Sequence, residues 1–153
     1  MNTVIVCASV SHGNTRRVAE AIGRELSARV IEPGQLDPAE LADYDLVGFG
    51  SGIFTGRFHP RLRAYVRAIP AGRPTRAFAF ATSGLPGPRF RPLTRALEAR
   101  GFQLCGTFSC RGLDTWLPFR LVGGINRAHP DTDDLAAARA FAAGLRDQAA
   151  GRG

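Results

Sequence analysis

Five short apolar runs, each followed by a segment of helical period, recur along this 153-residue chain, and that alternation limits the fold more than any other feature. Thr3–Ala8 is continuously apolar, as a parallel strand buried on both faces would be. Val18, Ile22 and Leu26 then fall on one stripe with Ala19, which predicts an amphipathic helix. Arg29–Glu32 reads as a short second strand. Asp37-Pro38-Ala39-Glu40 reads as a helix start, with Asp as N-cap, Pro at the first helical position and Glu closing a capping box. The third strand is predicted over Asp45–Gly50. Leu62, Tyr65, Val66 and Ile69 mark a helix that Pro70 stops. A fourth strand, Thr75–Thr82, precedes a helix carrying Phe90, Leu93 and Leu97 and ending at Gly101. Phe102–Cys110 is the fifth strand, and a last helix starts near Asp131 with Leu135, Ala138, Ala142 and Leu145 inward.

Strands alternating with helices imply right-handed crossovers. The predicted fold is a doubly wound, five-stranded parallel sheet of order 2-1-3-4-5, in three α/β/α layers, with ligands at the carboxyl ends of the first and third strands. No repeat or linker divides the chain, so one domain over residues 1–153 is expected. Arg111 to Pro130 is too long for an ordinary connection.

Composition narrows the setting. The run from Thr3 to Val10 has no basic flank or cleavage pattern and reads as a strand rather than a leader. No stretch approaches the length of a membrane span. Three cysteines without framework spacing (Cys7, Cys105 and Cys110) suit a reducing cytoplasm. Cys7 and Cys105 read as small core residues, and Cys110 as structural unless it meets a ligand. The net charge of +7 is carried by arginine alone, which favours anionic ligands or partners. The arginines are spread without interleaved aromatics, so nucleic-acid binding is not expected.

The loop after the first strand, Ser9-Val10-Ser11-His12-Gly13-Asn14-Thr15, is small, polar and runs directly into a helix. Its backbone N–H groups and those of the first helical turn can hold a phosphate without a charged side chain. Ser9, Ser11 and Thr15 can add hydroxyls, Asn14 can reach a phosphate or a sugar, and His12 can donate to a phosphate oxygen. Arg16 and Arg17 oppose the helix dipole unless an anion sits nearby; otherwise they simply point into water. A tyrosine-phosphatase loop starting at Cys7 would need an Arg where Gly13 stands. A Walker loop needs a Lys the chain lacks, and a response regulator needs acids where Ser9 and Gly50-Ser51 stand.

The strand followed by S-x-S-H-G-N-T and a helix resembles the phosphate loop of flavodoxins, with Gly13, Asn14 and Thr15 matching directly and His12 replacing a usual Thr. Gly48-Phe49-Gly50-Ser51-Gly52-Ile53-Phe54-Thr55-Gly56 resembles the loop lining the inner flavin face. There Gly52 and Gly56 would permit a peptide flip toward flavin N5–H, and Phe54 would stack on the ring. Ala81-Thr82-Ser83-Gly84-Leu85-Pro86-Gly87-Pro88 occupies the position of the second flavin-contacting loop but lacks an aromatic before Phe90. The tail from Cys110 to Pro130 is similar to one in bacterial members of the family, and places Trp116 as a candidate for the outer flavin face. The resemblance thus implies a flavodoxin-like fold, one FMN, and Ser9, Ser11, His12, Gly13, Asn14, Thr15, Ser51, Gly52, Ile53, Phe54, Thr55, Gly56, Thr82, Ser83, Gly84 and Trp116 around it, with no catalytic residue and no metal. It implies electron transfer with an unidentified redox partner. An FMN-dependent NAD(P)H or quinone oxidoreductase acting on a small molecule, or a domain that has lost FMN, are the alternatives.

Overall fold

The computed structural model describes residues 1–9, 13–54, 56–72, 74–84, 88–111 and 132–152, with the side chains of Phe54, Arg111, Ala150 and Arg152 excepted. The elements are β1 (Thr3–Ala8), α1 (Asn14–Leu26), β2 (Arg29–Ile31), a 3₁₀ helix (Pro38–Asp43), β3 (Leu46–Phe54), β4 (Arg57–Phe58), α2 (Pro60–Arg67), β5 (Thr75–Ser83), α3 (Arg91–Ala99), β6 (Phe102–Arg111) and α4 (Thr132–Arg152). The main ladder is parallel throughout, in the order β2-β1-β3-β5-β6. This is the expected 2-1-3-4-5 arrangement, with the two-residue β4 added antiparallel to β3.

The continuous apolar strands have two faces to fill, and the structure fills both. Ile5, Cys7, Leu46, Phe78 and Phe80 cover one face together with Val18, Ile22 and Leu26 of α1 and Ala138, Ala142 and Leu145 of α4. Val4, Val6, Val47, Phe49 and Ala79 cover the other with Leu62 and Val66 of α2 and Leu93 and Leu97 of α3. Each large side chain buried in this way contributes roughly 1.5–3 kcal/mol, so the period of each helix decides which face it covers.

Four expectations need correction. The third strand does not end at Gly50. It runs to Phe54, because Gly52 still pairs with Thr82 and the chain then doubles back, setting Ile53 against Phe58 and Phe54 against Arg57. Gly56, at φ 78°, supplies the left-handed conformation that so tight a return requires. The helix after Asp37 is a six-residue 3₁₀ segment, too short for an α-helix, although its capping box forms as expected. Asp37 accepts from the Ala39 N–H at 3.0 Å, and Glu40 accepts from the Asp37 N–H at 3.2 Å. Ile69 is buried but lies beyond the end of α2. Cys105 is half-buried rather than in the core, because β6 is the edge strand.

Candidate functional site

Three loops leave the sheet at the carboxyl ends of its central strands. Ala8, Ser51 and Ala81 stand in register across β1, β3 and β5, so residues expected to act together end on one edge of the sheet. Ser9 is half-buried directly after β1. Gly13 takes φ 65°, a left-handed conformation that turns the loop into α1. Asn14 and Thr15 are the first residues of α1. Among the described residues no side chain caps the start of this 13-residue helix, and no acidic residue lies in its first turn. The positive end of its dipole favours an anion at this point.

Thr15 and Thr82 meet beneath this helix start. Their hydroxyl oxygens are 2.6 Å apart and both residues are only 5% exposed. One hydroxyl donates to the other, which leaves a single O–H proton for a further acceptor. The first loop and the end of β5 are thus joined by a buried polar contact, although 67 residues separate the two in the chain. Arg16, in the first turn, is committed elsewhere: it pairs with Glu20 at 3.2 Å and with Glu32 at 3.8 Å.

The second candidate stretch is organised as strand and turn. Ser51 is fully buried, and its hydroxyl donates to the Gly52 carbonyl at 2.7 Å while accepting the His59 N–H at 3.0 Å. It ties the end of β3 to the start of α2. Gly52 and Ile53 lie within β3, Phe54 is its last residue, and Gly56 sits in the return to β4. Thr82 and Ser83 end β5, and Gly84 follows in a bend. Ser11, His12, Thr55 and Trp116 lie outside the described residues, as does the side chain of Phe54.

Sequence reasoning missed His59. Its Nδ1 accepts the Arg61 N–H at 3.0 Å, so it caps α2 ahead of Pro60. Burial, and then the Arg61 cation, hold its pKa below the ordinary histidine value. The dipeptide His59-Pro60 carried the signal, since proline favours the first helical position behind an N-cap. Among the described residues there is no cluster of potential metal ligands, and no helix is long and apolar enough to cross a membrane.

Comparison with known proteins agrees with this geometry. A family model described as a flavodoxin domain matches residues 4–89. An uncharacterized protein of Methanocaldococcus jannaschii is 35% identical over 145 residues, covering 93% of this chain and 96% of that protein. The structure of a flavodoxin from the domain Archaea superposes with a TM-score of 0.69 at 19% identity, covering 97% of this chain and 98% of the other. Oxidised Flavodoxin 2 from Bacillus cereus gives 0.70 at 20% identity, over 97% and 99%. General stress protein 14 of Treponema denticola, solved in complex with FMN, gives 0.66 at 11% identity, over 95% and 99%. The sheet order, the three loops at its central strand ends and the family match over more than half the sequence agree: the chain belongs to the flavodoxin family.

Proposed function

We propose that this protein binds one FMN at the carboxyl edge of its sheet and serves as an electron carrier. The observation that carries the reading is the start of α1, where Gly13 turns the chain, no described side chain caps the helix, and the Thr15 and Thr82 hydroxyls meet with one of their two O–H protons left over from their mutual bond. A phosphate monoester fits that donor set, because it brings several acceptor oxygens and a negative charge. Asn14 and Thr15 would hold the phosphate end, and the Gly52–Gly56 return and the Thr82–Gly84 segment would border the ring. When bound, FMN supplies the one- and two-electron chemistry of its ring, and the chain supplies position and electrostatics. Ser51 fixes the β3 end through its two hydrogen bonds. The Gly52 carbonyl has a second lone pair beyond the one Ser51 engages. A second reading, an FMN-dependent oxidoreductase acting on a small molecule, draws on the charge of +7, which would repel a basic protein partner.

Titration of the folded protein with FMN, followed by flavin absorption and equilibrium dialysis, is expected to give one FMN per chain. Failure to take up FMN in excess would overturn the proposal. Asn14→Ala and Thr15→Ala are expected to weaken FMN by about ten- to a hundredfold, the loss of one hydrogen bond to a charged phosphate, and riboflavin much less. Thr15→Ser should retain most of the affinity, because it retains the hydroxyl. Equal losses for FMN and riboflavin would move the phosphate away from α1.

A further inference from the structure

A second site lies on the opposite face of the sheet from Thr15 and Thr82. Between α2 and α3, against β4, the surface encloses a cleft of about 370 Å³. Pro92 and Ala96 give it exposed apolar surface above the buried Phe58, Val66 and Leu93, and Gly56, Arg57, Arg63, Arg67 and Arg89 also line it. No carboxylate is among the lining residues.

What sets this place apart is that four arginines line one cavity that holds no carboxylate. Arg16 and Arg61 both pair with Glu32, and Arg146 pairs with Glu25 at 2.8 Å. In the cleft, no ion pair or hydrogen bond engages the guanidinium group of Arg57, Arg67 or Arg89 among the described residues. Among the described residues Arg63 donates through its Nε to the Phe58 carbonyl at 3.1 Å, with its Nη donors unused. Four guanidinium groups around one cavity repel one another, and an anion placed among them relieves that repulsion. Their planar donor sets match carboxylate and phosphate oxygens. The apolar walls call for a ligand that also has a hydrocarbon body, and the volume falls in the range of small-molecule sites.

We propose that this cleft binds a small organic anion in which an aromatic or aliphatic body carries a carboxylate or phosphate group. The body packs on Pro92, Ala96 and the aliphatic stems of the arginines, over the buried Phe58, Val66 and Leu93, and the acid meets the guanidinium groups. Residues of α2, α3 and β4 supply most of the lining, and Gly56 and Arg89, from the turns that lead into β4 and α3, bring one end of the cleft next to the edge proposed for FMN.

The test uses the full chain, with and without added FMN, and two probes of one shape: 1-naphthoate and the neutral 1-naphthalenemethanol. Binding is read by calorimetry and by amide shifts in NMR spectra. Saturable binding of the carboxylate is expected, with shifts at Phe58, Arg67 and Leu93 and much weaker binding of the alcohol. Joint Arg67→Gln and Arg89→Gln substitution is expected to weaken naphthoate at least about tenfold, as loss of a contact with a charged group does. Arg24→Gln with Arg29→Gln removes the same charge from exposed positions elsewhere and should leave binding nearly unchanged. Ala96→Trp, which narrows the cleft without altering charge, should block it. Equal affinity for acid and alcohol, equal loss in the two double variants, shifts confined to the start of α1, or no saturable binding up to the probe's solubility limit would each overturn the proposal. Shifts in the cleft that are the same with and without FMN keep this result separate from the fate of the FMN reading.

Discussion

The glycine-rich run that ends β3 contains two regions with one composition and two physical purposes. In its inner half, Gly48 and Gly50 are opposite Phe78 and Phe80 on β5, and the aromatic rings lie over them. A Cβ on either glycine would come within 2.3 Å of a ring carbon. In its outer half, Gly56 has nothing among the described residues within 4 Å of where a Cβ would stand, yet holds φ 78° to close the β3–β4 return. The first pair is needed for close approach and the last for backbone conformation. The sequence shows four glycines in nine residues, and although Gly48 and Gly50 fall in the predicted third strand, all four sit in the stretch that resembles one flavin-lining loop. In the structure, half of them belong to the core.

The strongest way to break this contrast is Gly50→Ala. Overpacking against Phe80 is expected to cost about 1–3 kcal/mol, seen as a lower urea midpoint with an unchanged m-value. Combining it with Phe80→Leu should recover part of that loss, because the fault is a contact. An additive double variant would show that the ring is not what excludes the methyl group.

How much of this was legible beforehand follows from the range over which each feature acts. The sheet order was readable because continuous apolar runs joined by amphipathic helices leave few ways to bury two faces. The capping box at Asp37 was readable because it closes within four residues. The β4 return was not, since Ile53, Phe54 and Phe58 look like loop apolars until their antiparallel pairing is seen. Thr15 was readable as a loop hydroxyl, but its contact with Thr82 spans 67 residues and leaves no local trace. The arginine cleft was hidden for a similar reason. Arg57, Arg63, Arg67 and Arg89 are scattered among twenty arginines, and only the packing of α2 beside α3 gathers them.

Gly56→Ala tests the outer half and should have a smaller effect. A left-handed non-glycine residue costs about 1–2 kcal/mol, and no neighbour is there to add a clash. Trimming surrounding side chains should therefore recover nothing, whereas Gly56→Asn should cost less than Gly56→Ala, since asparagine tolerates this region better. The same urea series compares all of these variants. If Ala and Asn were equally harmful, steric crowding rather than φ would be the cause, and the contrast between the two halves would fail.

The smallest effect at neutral pH is expected at Cys7, which sits in register with Gly50 on the ring-covered side of the sheet. Burial, and then the charge of Glu32, push its thiol up to about 12 from an ordinary 9.0. The raised value favours the protonated thiol in the folded chain, so its contribution to stability is complete below pH 9. Between about 9 and 12 the unfolded chain ionises and the folded chain does not, and stability falls by up to about 1.4 kcal/mol per pH unit. Tyr65, whose hydroxyl donates to the Leu36 carbonyl at 2.7 Å, is raised by burial to about 12 and adds to the decline above pH 10. Cys7→Ala isolates the thiol. Its stability should decline less steeply than that of the parent between pH 9 and 11, whatever constant offset the lost sulfur introduces. At pH 7 a thiol reagent should modify Cys105 and Cys110, both half-buried, well before Cys7. Equal labelling of all three in the native state would mean that the cover over Gly50 and Cys7 opens readily, and the inner half would then be no more rigid than the outer.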